Sequence, residues 1–264
     1  MTKRPHRGIV AGTLMHDAPP LGQAVCGDCL EVLSAWPEQL ADLVYLDPPF
    51  NTGRTHRGRA ASGAAYPDSW PSIGAYLEFL RPRMEAVYRV LKPRGSILLH
   101  CDWRTCHHLR LLLDELFGPR NFVNHLIWSY GLGGSSPRRF ARKHDDILFY
   151  AKAEDYFFDP PRVPATSNRM KGKLKKASDL IEIPAINNMA AERVGYPTQK
   201  PLALLTLLLT ACCPPGGVVI DPFCGSGTTL VAALRSRRSF VGIDRSPEAV
   251  AICRSRLGVV AVAG

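Results

Sequence analysis

The chain has 264 residues, 46% of them hydrophobic and 21% charged, which is enough for one sizeable core or for one domain with an insertion. Its net charge of +10 makes a polyanion a plausible partner, although many proteins are basic without binding one. The longest apolar run, PLALLTLLLTACC at residues 201–213, is short of the roughly 18–20 residues a membrane span needs, so no membrane partner is expected.

In chain order, residues 1–20 are basic but have no clean apolar core, so no secretory signal is expected and the chain is placed in a reducing cytoplasm. Residues 23–28 (QAVCGD) read as a short strand ending at Asp28, and 29–36 as a helix. Residues 42–47 (DLVYLD) are a buried strand that Pro48 and Pro49 must end, because proline brings no donor to a sheet ladder. Residues 51–71 lack periodicity and read as a long loop. An amphipathic helix follows over 73–91, with Pro82 as a candidate kink, then a strand at 95–102. Next come a helix over 104–118 with Gly118 at its C-cap and two strands at 124–131 and 145–152. The pattern breaks over residues 152–195 and resumes as helix, strand–loop–helix and strand–turn–helix. This alternation predicts a mostly parallel sheet with helices on both faces.

Eight cysteines are then expected to be thiols. Cys26 and Cys29 stand at C-x-x-C spacing without a second pair, and Cys106-His107-His108 matches no known pattern, so no metal site is expected. Two other stretches carry chemistry. Asp47 ends its strand where ligands bind in open α/β sheets, followed by a stiff turn that presents Phe50. Asp221 ends another strand, and Gly225 and Gly227 let the backbone approach a ligand before a helix whose free N–H groups favour an anion. D-P-F-x-G-S-G-T is neither a dinucleotide fingerprint nor a P-loop. Asp244, about twenty residues on at the next strand end, suits a ribose.

Together DPPF, YPTQKP, DPFCGSGTT and VGID, in that order, resemble the β class of S-adenosylmethionine-dependent DNA amino-methyltransferases. The resemblance runs from residue 27 to 257. It implies a Rossmann-like fold with a seven-stranded sheet containing one antiparallel strand. It also implies a single domain with a catalytic half, 22–151, before a cofactor half, 196–257. S-adenosylmethionine is expected against Asp28, Thr198, Gln199, Lys200, Asp221, Phe223, Gly225, Ser226, Gly227, Thr228, Thr229, Asp244 and Arg245. Catalysis is expected from Asp47, Pro48, Pro49 and Phe50. Asp47 and the Pro48 carbonyl would accept both hydrogens of a base amino group while Phe50 stacks on the flipped base.

Within the family D-P-P-[YF] leans toward adenine N6 and S-P-P-Y toward cytosine N4, so adenine is favoured with cytosine as the alternative. RNA or glutamine methylation, usually marked by N-P-P-Y, and a DNA-binding homologue without catalysis stand further off. The basic insertion at 152–195 is the candidate target-recognition region. Arg162, Asn168, Arg169, Lys171, Lys173, Lys175 and Lys176, with Arg54, Arg57 and Arg59 of the loop, are the candidate contacts to double-stranded DNA. The plainer reading of the lysine run is a solvated loop. A nucleoid location follows from DNA binding. The resemblance leaves open a homodimer and a cognate restriction endonuclease as partners.

Overall fold

The structure, a computed structural model, describes residues 19–57, 65–131, 135–165, 168–187 and 190–263. The elements are β1 (Gln23–Cys26), α1 (Cys29–Ala35), β2 (Ala41–Leu46), β3 (Arg54–Arg57), β4 (Ala65–Asp68), α2 (Ile73–Val90), β5 (Leu91–Cys101) and α3 (Cys106–Phe117). They continue with β6 (Phe122–Ser129), β7 (His144–Ala151), β8 (Arg162–Pro164), β9 (Leu174–Lys176), β10 (Leu180–Glu182) and α4 (Leu202–Cys212). The last four are β11 (Val218–Asp221), α5 (Thr228–Arg235), β12 (Ser239–Asp244) and α6 (Pro247–Ala263).

The main sheet runs β1-β12-β11-β2-β5-β7-β6-β10. All its pairings are parallel except those of β7, which is antiparallel to both β5 and β6. Seven of these strands match the expected sheet. The eighth, β10, comes from the basic insertion and pairs with β6 at the edge, with Ile181 buried beneath it. Its three residues carry too little pattern to be seen in the sequence.

The strands' alternation sorts the core into two layers. Leu43, Tyr45 and Val219 face a cluster built with α4, α5 and α6. Val44, Leu46 and Ile220 face the other, built with α1, α2 and α3. Burying each Leu or Val contributes about 1.5–3 kcal/mol, and β2 is buried on both faces at nearly every position. The central strand is therefore fixed in register, and so is the turn at its end.

Pro82 lies inside α2, which is helical from Ile73 to Val90. One expectation is corrected. Residues 51–71 are not a plain loop, because β3 and β4 pair as an antiparallel hairpin with Arg54 opposite Asp68. Polar side chains hold this hairpin, so no apolar alternation announced it. Asp68 is 1% exposed and accepts from Asn51 N (2.6 Å), Thr52 Oγ1 (2.6 Å) and His56 Nε2 (3.1 Å).

Candidate active site

The carboxyl ends of β2, β11 and β12 open on one cavity of about 660 Å³, within the usual size range of a small-molecule site. Asp47, Pro49, Thr198, Gln199, Lys200, Asp221, Phe223, Gly225, Ser226, Thr228, Thr229, Asp244 and Arg245 all line it. The DPPF turn and the glycine loop are far apart in the chain. They share one enclosure because β2 and β11 pair directly, with Val44 beside Ile220.

The turn after β2 is clamped from several sides. Asp47 accepts from the Lys200 ammonium at 2.8 and 2.7 Å, the Pro49 carbonyl accepts from Tyr76 Oη at 2.8 Å, and the Asn51 side chain accepts from Trp70 N at 3.0 Å. Asn51 itself sits at φ +57°, in the left-handed region, held there by Asp68. Phe50 is half-buried and stacks on His100, with centroids 5.7 Å apart, while the Lys200 ammonium lies 5.0 Å from its ring centre. His100 is fully buried between Tyr45 Oη (2.7 Å) and Asp145 (3.3 Å). Burial raises the Asp145 carboxyl, but His100, the Lys200 charge and the Tyr130 hydrogen bond together outweigh this, and the net shift is downward.

The glycine loop is held equally firmly. Gly225 has φ +49°, and a Cβ there would come within 2.9 Å of the Tyr196 ring. Gly227 has φ +79°, and its Cβ would meet Cys253 Sγ. Asp244 accepts from Gly225 N (2.8 Å) and Ser246 N (2.9 Å), which leaves lone pairs on both oxygens toward the cavity. Burial pushes the Asp221 carboxyl up to about 7, even though Phe223 N donates to it at 3.0 Å.

Some expected contacts are placed differently. Asp28 does not line the cavity; it caps α1 through Leu30 N (2.9 Å) and takes both its other bonds from Arg83 (3.0 and 2.7 Å). The Gln199 amide spends its polar atoms bracing backbone at Glu192 and Val194. Gly227 supports the loop from behind rather than lining the cavity. Pro48 and Phe50 flank the cavity without lining it.

Sequence reasoning missed Cys29, Trp70, Phe79, Arg83 and Tyr196 in the cavity wall. Two of these left a signal: Tyr196 opens the YPTQKP motif, and Arg83 stands on the apolar stripe of α2 with Tyr76, Leu80 and Val87, is 8% exposed, and stacks 3.8 Å over Phe79.

A second cavity of about 360 Å³ opens beyond the turn, over β5, β6 and β7. Arg54 lines it together with Trp103, Arg104, Arg139 and Arg142, and Arg142 lies 3.3 Å over the Trp103 ring. The other expected DNA contacts lie elsewhere. Arg162, Lys175 and Lys176 belong to the β8–β9 hairpin, with Arg162 opposite Lys176, while Asn168 and Arg169 form a turn and Lys171 and Lys173 are exposed. Arg59 and the Arg57 side chain lie outside the described residues.

The sequence pattern of the DNA methylase family matches residues 41–255. The chain belongs to this family. Among curated relatives it is 30% identical over 238 residues to the type II methyltransferase M.HpaI of Haemophilus parainfluenzae, covering 88% of this chain and 73% of that one. It is 29% identical over 254 residues to M.ScaI of Streptomyces caespitosus, covering 88% and 79%. The fold matches the M1.HpyAVI–SAM complex, with a TM-score of 0.63, 21% identity and coverage of 89% of this chain and 98% of that one. It also matches the cytosine-N4-specific PvuII DNA methyltransferase, with a TM-score of 0.68, 18% identity and coverage of 92% of each chain. S-adenosylmethionine is the methyl donor of the family. The cavity fits it: the volume suffices, Gly225 lets the loop pack closely against Tyr196 in the cavity wall, and Asp244 keeps acceptors free for hydroxyls. Among the described residues no helix is long and apolar enough to cross a membrane.

Proposed function

We propose that this DNA methylase methylates the exocyclic N6 of adenine within a specific short DNA sequence, on a base turned out of the duplex. The observation that carries the reading is that Asp47 opens on the same cavity as the glycine loop and Asp244. When bound, S-adenosylmethionine supplies an electrophilic sulfonium methyl group. Asp221, Gly225, Thr228, Asp244 and Arg245 are the residues to hold it.

The rest is done by the turn. An amino nitrogen on a base is a poor nucleophile because its lone pair is delocalised into the ring. Asp47 and the Pro48 carbonyl accept its two hydrogens and so draw the nitrogen toward a pyramidal shape with its lone pair localised on one side of the ring. As the N–CH3 bond forms at the expense of the donor's S–CH3 bond, leaving a neutral thioether, the nitrogen sheds its surplus proton to Asp47 and on to solvent. Each Asp47 oxygen accepts one bond from Lys200 and retains a second lone pair for the substrate. The clamps from Tyr76, Trp70 and Asp68 set this acceptor geometry in advance, so little reorganisation remains for the reaction. Phe50, seated on His100, offers an aromatic surface to the extruded base. Residues 152–195 serve as the target-recognition region.

Asp47 favours adenine over cytosine N4, the second reading, which the PvuII neighbour keeps in view. The test is to methylate DNA with purified enzyme and identify the modified nucleoside by mass spectrometry. N6-methyladenine is expected, and N4-methylcytosine alone would replace the reading with the second one. Asp47→Asn is expected to lower turnover about 10²–10³-fold while S-adenosylmethionine still binds. Near-normal turnover would remove Asp47 from the mechanism.

A further inference from the structure

Away from both cavities, three donors of different kinds converge. Cys106 begins α3, His125 lies on β6 and Asp146 on β7, and one donor atom from each lies within 4.8 Å of the others. His125 Nε2 stands 2.6 Å from Asp146 Oδ1 and 3.6 Å from Cys106 Sγ. Asp146 is buried, Cys106 half-buried and His125 open to solvent, which leaves an entry path.

Both contacts use the same ring nitrogen, and this decides between two readings of a Cys–His–Asp set. A nucleophilic relay needs the carboxylate on one ring nitrogen and the thiol on the other. Convergence on one nitrogen instead outlines a chelate. A tetrahedral zinc ion, with Zn–S of about 2.3 Å and Zn–N of about 2.0 Å, sets an S···N edge of about 3.5 Å, close to the separation seen. The N···O edge would be about 3.3 Å, so the His125–Asp146 hydrogen bond would open by about 0.7 Å. Cys101 stands directly across the ladder from Asp146 but outside the converging set, so the fourth position of a tetrahedral ion falls to solvent on the open His125 side. Thiolate, imidazole and carboxylate together select zinc over magnesium or calcium.

We propose that Cys106, His125 and Asp146 form a zinc site that ties the start of α3 to β6 and β7. The test uses the full chain without a histidine tag, stripped with chelator and titrated with Zn²⁺, with Co²⁺ as a spectroscopic probe. One ion per chain is expected, with a thiolate-to-cobalt charge-transfer band, a tetrahedral visible spectrum and an unfolding midpoint raised by about 5 °C at hundredfold excess over Kd. His125→Gln and Cys106→Ser should each lose it. His125 is exposed, so its variant keeps the test valid if the cysteine variant misfolds. His107→Ala with His108→Ala, whose rings lie 4.0 Å apart on the surface of α3, should retain it. Binding lost only in the His107/His108 variant would mean an adventitious ion only, and no binding by the wild type would leave the cluster a hydrogen-bond network.

Discussion

Asp221, on the cavity wall, is a carboxyl whose chemistry departs far from its free form. Burial lifts its carboxyl to about 7. From about pH 4 to about 7 the folded chain therefore holds a proton that the unfolded chain has lost, and this group's contribution to stability falls as pH rises through that window. A cationic ligand in the cavity favours the ionised carboxylate, so binding expels the proton. Affinity for S-adenosylmethionine is expected to rise several-fold, at most about tenfold per pH unit, between pH 6 and 8. Calorimetry in two buffers of different ionisation enthalpy should register proton release, and Asp221→Asn should flatten the profile. A flat profile in the wild type would separate Asp221 from the cofactor.

At the scale of elements, the hairpin β3–β4 matters most, because Asp68 at its end bolts it to the turn that carries Asp47. Asp68→Ala strips acceptors from Asn51 N and Thr52 Oγ1, at a cost on the order of 1–3 kcal/mol for each donor left unpaired. Turnover is expected to fall at least about tenfold with cofactor affinity unchanged, since the loss loosens the turn and not the glycine loop. Equal losses in both would show that Asp68 supports the whole cavity. This bolt was not legible in the sequence. The buried strands and helices were, because β2 and β11 are continuous apolar runs and α2 and α3 carry helical periodicity. So were the residues at strand ends, Asp47, Asp221 and Asp244, since a polar residue closing an apolar run is a local signal. Trp70 reaches the cavity through tertiary packing, and β10 is a three-residue edge strand, so neither left a local pattern.

The whole molecule carries 33 basic and 23 acidic residues, and among the described residues two basic groups stand out. One is the second cavity with Arg54, Arg104, Arg139 and Arg142; the other is the β8–β9 hairpin with Lys171, Lys173, Lys175 and Lys176 on it or near it. Lysine is a flexible point charge suited to phosphate, whereas an arginine stacked on Trp103 presents a planar fork suited to a base edge. The two groups should therefore fail differently. Replacing the four lysines by alanine is expected to weaken binding to all DNA sequences alike and to reduce the slope of log K against log salt by about 0.9 for each phosphate no longer neutralised. Arg142→Ala is expected to change that slope little and to relax preference at one position of the target. Affinity measured against salt on cognate and unrelated duplexes distinguishes the two. An unchanged slope in the lysine variant would make the run a solvated surface and leave the DNA path over the second cavity, where the arginines would then have to supply both charge and recognition.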